Sequence, residues 1–132
     1  MISKENAVHY AWGEGCDGWH LVNTLELSVI GERMPAGTSE QRHSHIRSRQ
    51  FFYILAGTVI MEIEGRREVL SAHQGVEIPP GVEHRISNES GHLVEFIVIS
   101  QPHSHGDRVA SSTWSGNRYH PSSVRRAPDR HN

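Results

Sequence analysis

The sequence predicts an all-β sandwich or barrel, on two observations. Short apolar or alternating stretches recur at close spacing between residues 19 and 100, punctuated by glycine, proline and asparagine. The same span lacks the sustained 3.6-residue apolar period of a long helix. In chain order, the first eighteen residues contain Trp12, Gly13, Gly15 and Gly18. They are expected to begin with one short helical turn, wind irregularly and pack Trp12 and Trp19 on the body. The strand stretches then fall at 21–22, 25–30, 50–55, 59–63, 76–78, 85–87 and 93–99. Residues 59–70 read as a hairpin turning at Gly65, with Glu62 and Glu64 on one face and apolar residues on the other. From residue 111 onward the chain is rich in Ser, Arg, Pro and His and cannot bury enough surface to offset its ordering entropy. The expected organisation is an N-terminal segment (1–18) packed on a barrel (19–110), followed by a flexible tail (111–132).

With 132 residues the chain has room for one domain. Its longest apolar run, residues 51–56, is too short to cross a bilayer as a helix. No charged start and apolar stretch of a secretory signal opens the sequence, and a lone Cys16 cannot form an internal disulfide. A cytoplasmic protein is expected. Residues 1–106 carry eight basic and thirteen acidic side chains, while residues 107–132 carry five arginines and two aspartates. A negative body argues against a nucleic-acid surface.

Eleven histidines are the unusual feature. His43 and His45 lie two apart, so in an extended strand both project from one face. Gln50 opens the next strand, and His84 follows the turn Pro79-Pro80-Gly81. Antiparallel strands can bring these four side chains together inside a barrel. Three imidazoles and an amide oxygen suit a divalent transition metal, with positions left for water or substrate.

The stretch Gly37-x5-His43-x-His45-x4-Gln50-x6-Gly57 resembles the first motif of the cupin superfamily. The stretch running from Pro79 through Gly81 and His84 to Asn88 resembles the second. The resemblance covers roughly residues 20–100 and implies a small single-domain cupin. It implies a double-stranded β-helix (jelly roll), a metal at its centre on His43, His45, Gln50 and His84, and a homodimer. Two positions depart from the family pattern. Gln50 stands where the family usually has Glu, so the site keeps more of the metal's charge and has no carboxylate base there. A neutral, nitrogen-rich set favours Zn, Fe or Ni over Mn. His73 stands where the second motif begins with Gly, which puts the local turn in question.

Each assignment has a plainer counterpart. The three histidines fill a metal-free cavity, or Gln50 caps a pocket and binds substrate. With Gln50 inward, Phe52 and Ile54 share its face, and Phe51, Tyr53 and Leu55 face away. Ile86 accompanies His84 by the same parity. Phe52, Ile54, Ile86 and Phe96 are candidate walls of a substrate pocket, as are Met34, Met61 and Val98, and core packing explains them equally well. Arg33, Glu40 and Arg85 are candidates for polar substrate contacts, with solvated surface the favoured reading. His103 and His105 lie past the last expected strand and are read as surface, with His9, His20, His92, His120 and His131. Cys16 is read as structural. Beyond Gln50 and the three histidines, no His, Glu or Asp occupies a predictable inward position to serve as general base. Two functions therefore stay open. One is a metal-dependent enzyme of dioxygenase or isomerase type acting on a small polar molecule; the other is a non-catalytic ligand-binding or regulatory module.

Overall fold

The computed structural model describes residues 1–104 and 106–111. His105, His120, His131 and the tail beyond Ser111 lie outside the described residues. The described strands are β1 (Val8–Trp12), β2 (Cys16–Asn23), β3 (Ser28–Met34), β4 (His43–His45), β5 (Arg49–Ala56) and β6 (Thr58–Ile63). They continue with β7 (Arg66–Ser71), β8 (Gly75–Ile78), β9 (His84–Ser87), β10 (Val94–Gln101) and β11 (Arg108–Ala110). Two antiparallel sheets form, with strand orders β1-β2-β3-β10-β5-β8 and β11-β4-β9-β6-β7. This is the all-β jelly roll that the sequence predicts, with no helix among the described residues.

Alternation places the core. Phe52 and Ile54 are fully buried on β5, while Phe51 and Leu55 are exposed. Ile30 and Met34 of β3, Met61 of β6, Ile86 of β9, and Phe96 and Val98 of β10 complete the apolar interior. Each large side chain buried this way contributes about 1.5–3 kcal/mol. Ile54, Ile86 and Phe96 all belong to this buried cluster, and Phe52 packs on both Phe96 and His84 of the site described below.

The hairpin at Gly65 forms with Ile63 opposite Arg66. Glu64 and Gly65 both have positive φ, 49° and 84°, as a two-residue turn of the hairpin type requires. Gly57, which closes the first motif, has φ 91°. A Cβ there would also lie 2.9 Å from the Leu93 carbonyl oxygen, so a side chain is excluded twice over. At the departure from the second motif, His73 takes the left-handed conformation itself, with φ 70°. Its N–H donates to the Ile54 carbonyl at 2.7 Å, which holds the turn without a glycine.

Two expectations change, and one residue is more covered than its face alone would suggest. The N-terminal segment begins with one turn, Ala7 N–H donating to Ser3 O at 2.8 Å, but then forms the β1–β2 hairpin instead of winding irregularly. Its glycines masked an alternation that turns Tyr10, Trp12 and Cys16 inward. A further strand, β11, follows β10 and pairs with β4; its three residues are too few to show a period. Glu62 lies on the face opposite the buried apolar residues of β6, as expected, yet arginines cover it and it is only 8% exposed. It accepts hydrogen bonds from Arg42 at 2.7 Å and from Arg85 at 2.9 Å, and Arg67 lies 3.7 Å away.

The Arg42 hydrogen bond holds the Glu62 carboxyl below its ordinary value of 4.5, with Arg85 adding to it against the cost of burial. A lowered folded-state pKa stabilises the fold above the unfolded value and loses that contribution as pH falls through the folded one. Glu62→Gln should therefore cost about 1–2 kcal/mol near neutral pH. The gap to wild type should narrow as pH falls through the folded-state pKa of Glu62, which lies below 4.5, because the wild-type side chain then becomes neutral too. Urea titrations across that range check this; an equal deficit at both ends would contradict it.

Candidate metal centre

β4 contributes His43 and His45, which share a face because they are two residues apart. His43 pairs in register with His84 across the β4–β9 ladder. This cross-strand opposition joins the two motifs. The three histidines are 0%, 5% and 1% exposed, and one ring nitrogen of each lies within 4.8 Å of the others. Gln50 arrives from the other sheet, on β5, so the four side chains span the space between the sheets.

The hydrogen bonds orient the donors. His43 Nδ1 lies 2.8 Å from the Gln41 carbonyl oxygen, and His84 Nδ1 lies 2.9 Å from that of Val82. A carbonyl accepts only from an N–H, so a neutral ring at either position carries its lone pair on Nε2. Gln50 Nε2 donates to Ser100 Oγ at 2.9 Å, and its Oε1 lies 3.1 Å from His84 Nε2. With the rings neutral, that amide oxygen and that nitrogen both offer lone pairs, which repel unless a proton or a cation lies with them. Such a donor set fits a divalent transition ion. Phe52 stands edge-on to His84 with ring centroids 5.8 Å apart, closing the apolar side of the cluster.

Several residues around the site have signals that were not read from the sequence. Ser100 is the cross-strand partner of Gln50; a serine inside an apolar alternation was the available sign. Glu40, expected on the surface, is 5% exposed. Its Oε2 accepts from Ile86 N–H at 3.1 Å and lies 4.0 Å from His43 Nδ1. Glu32 and His20, 2% and 7% exposed, correct the expectation that no further acid or histidine turns inward. Glu32 keeps step with Ile30 and Met34, a period-two signal that was legible. Its carboxylate accepts from Tyr10 OH at 3.1 Å. Ser28, four residues earlier on β3, aligns with Ser100 and through it with Gln50. Glu32 therefore sits about 13 Å along the barrel from the Gln50 row.

Arg33 and Arg85 stay half-buried, bound to Asp17 and Glu62. A cavity of about 160 Å³ lined by Thr38, Ser39, Arg85 and Ser87 opens outside β9. Arg85 and Ser87 alternate with His84 and Ile86, so it faces away from the cluster. His103 is half-buried near Leu25, whose carbonyl accepts its main-chain N–H at 3.2 Å.

A two-sheet barrel with a buried histidine cluster between the sheets defines the class. The family model described as "Cupin domain" matches residues 32–100, more than half of the chain, and the chain belongs to the cupin family. It is 29% identical over 92 residues to a mannose-1-phosphate guanylyltransferase of Salmonella montevideo. That match covers 70% of this chain and 19% of the relative, so the chain spans about a fifth of the relative's length. Among solved structures, an RmlC-like cupin from Shewanella frigidimarina superposes with TM-score 0.71 at 22% identity, covering 78% of this chain and 90% of the other. A cupin-superfamily sugar phosphate isomerase from Silicibacter pomeroyi gives 0.69 at 14% identity, covering 76% and 74%.

The loop between His45 and Gln50 is set by one buried residue from beyond the barrel's tenth strand. Asp107 is 3% exposed, and its Oδ2 accepts from Arg47 N–H and from Ser48 N–H, each at 2.9 Å. Ser48 Oγ donates to the Pro102 carbonyl at 2.7 Å. Asp107→Ala should cost the metal-free protein about 1–3 kcal/mol, because it leaves a buried N–H unpaired. Asp107→Asn should recover much of that loss, its amide oxygen still accepting. Denaturant midpoints of the two variants decide it, and equal midpoints for wild type and Asp107→Ala would exclude this role.

Proposed function

We propose that this cupin holds one divalent transition metal ion on His43, His45, His84 and Gln50, and acts on a small polar molecule. Zn, Fe or Ni suits the donors better than Mn. The observation that carries this reading is the pair of carbonyl-bound Nδ1 atoms, which leaves the Nε2 lone pairs and Gln50 Oε1 to serve one centre. When bound, the ion supplies a Lewis acid for an oxygen-bearing ligand. The chain's part is to aim the donors, to keep negative charge out of the coordination shell by using Gln50, and to exclude water on the side of Phe52 and Ile86. An activity of isomerase type on a sugar phosphate is favoured over a dioxygenase. The Salmonella relative and the Silicibacter neighbour both have names that refer to sugar phosphates.

A second reading, a binding module without turnover, is favoured by the placement of the inward carboxylates. Glu32 lies far along the barrel and Glu40 lies behind His43, so neither is set to exchange a proton with a ligand on the ion. Turnover of sugar phosphates by metal-loaded protein separates the two readings. A cytoplasmic setting suits the single, buried Cys16.

Pairing with a second copy through the outer face of the larger sheet belongs to the same proposal. Trp19, Leu21, Val29, Ile97, Ile99, Tyr53 and Phe51 lie on that face across four adjacent strands, where an antiparallel sheet facing water would be polar. Pairs of mixed sign rim it, Lys4–Glu95 and Arg33–Asp17 at one end and Arg49–Glu77 at the other. Six strands give a face on the order of 600 Å², near the roughly 800 Å² per partner of a standard interface. Ile97→Asp should convert a dimer to a monomer by light scattering, and a wild-type monomer would refute the pairing.

Elemental analysis of untagged protein should find close to one metal ion per chain. The double variant His43→Ala/His84→Ala should lose it, and His103→Ala should not. Gln50→Glu should bind Mn(II) more tightly, since it adds one charge at nearly constant shape. Unchanged Mn(II) and Zn(II) affinities would leave a three-histidine site, and a fully loaded double variant would overturn the centre itself.

A further inference from the structure

Glu40 is a buried carboxylate that no motif accounts for. Its side chain is 1% exposed, and it lies 4.0 Å from His43 Nδ1, the nitrogen on the far side of that ring from the cluster. It also accepts the main-chain N–H of Ile86, two residues beyond His84 on β9, at 3.1 Å. Behind it stands Arg108 of β11, 8% exposed at its side chain, with Nη2 3.9 Å from Glu40 Oε1. The same Nη2 lies 3.4 Å from the Gln41 carbonyl oxygen that receives His43 Nδ1–H. One carboxylate therefore touches both strands that supply histidines, and one guanidinium from a third strand faces both acceptors behind His43.

Burying a charge has a large desolvation cost unless the charge is matched. Arg108 stands on one side of the Glu40 carboxylate, 3.9 Å away. The other side of the His43 ring faces the centre proposed above, where three imidazoles and an amide bring no negative charge. We infer that Glu40 is the positioning and charge-balancing carboxylate of this metal centre. It stands behind His43 and supplies from outside the coordination shell the negative charge that Gln50 withholds from inside it. Arg108 sets how much of that charge the ion feels. This inference rests on the metal-centre reading, and its test separates the failure of one from the failure of the other.

The test is calorimetric titration of Zn(II) into the metal-free full-length protein at neutral pH, with thermal unfolding of the same metal-free samples. Glu40→Gln keeps an oxygen for Ile86 N–H and removes the charge. It should weaken Zn(II) binding about 10–100-fold, as loss of an outer partner of a histidine ligand does. The double variant Glu40→Gln/Gln50→Glu restores a charge from the opposite sheet and should return affinity to within a few-fold of wild type. A purely architectural Glu40 would not be rescued from β5. Arg108→Gln should tighten binding several-fold, and it keeps the inference falsifiable if Glu40→Gln fails to fold. Wild-type-like affinity in Glu40→Gln, no recovery in the double variant, or weaker or unchanged binding in Arg108→Gln would each overturn the role of Glu40. Failure of wild type to bind Zn(II), Ni(II) or Fe(II) at all would instead overturn the metal centre, and this inference with it.

Discussion

The site depends on keeping a three-residue strand in its sheet. β4 carries two of the three clustered histidines, and a strand this short has few ladder hydrogen bonds of its own. Its neighbours supply the rest. β9 meets it with His84 opposite His43, and β11 runs along its other edge with Ala110 opposite His43 and Arg108 opposite His45. Outside the sheet, Glu62 binds Arg42 and Arg85, the residues immediately before His43 and after His84. Asp107 fixes the loop that leads from β4 to Gln50. These polar contacts bear on where the two imidazoles of β4 point.

This arrangement separates two kinds of charge. Glu62 lies on the outer face among three arginines, where its charge is satisfied and it ties together the strands that carry the clustered histidines. Glu40 lies against the His43 ring, with the Arg108 guanidinium 3.9 Å from it. The first fixes geometry and the second bears on the electrostatics of the centre. The interior beyond the cluster is apolar from Phe52 through Phe96 until it reaches the separate Glu32–Tyr10 contact. A ligand at the cluster would therefore meet a neutral donor set backed by hydrophobic walls, which strengthens any interaction with a cation held there.

Much of the barrel was legible because its strands obey a period of two. On β5 the alternation of Gln50, Phe52 and Ile54 against Phe51, Tyr53 and Leu55 separates interior from exterior without further information, and Ile86 follows His84 by the same rule. The β1–β2 hairpin was obscured by its glycines, which read as irregular chain although two of them form its turn. Glu32 obeys the period, although a carboxylate is rarely placed in a core. Glu40 and Asp107 carried no signal of this kind. They lie outside the strands, and their burial arises from partners 46 and 59 residues away in the chain.

The sequence by itself determined the all-β architecture and marked the histidines. Local alternation fixes which side chains of a strand point inward, and the resemblance carried by the two motifs singles out His43, His45, Gln50 and His84 as a set. Only the tertiary structure decided how those donors are aimed and balanced. Ring orientation depends on which carbonyl faces each Nδ1, the Gln50 amide depends on Ser100 across the ladder, and the nearby charge depends on Glu40 and Arg108. These are contacts between strands distant in the chain, and no local periodicity encodes them. They follow from register and packing once the barrel has closed.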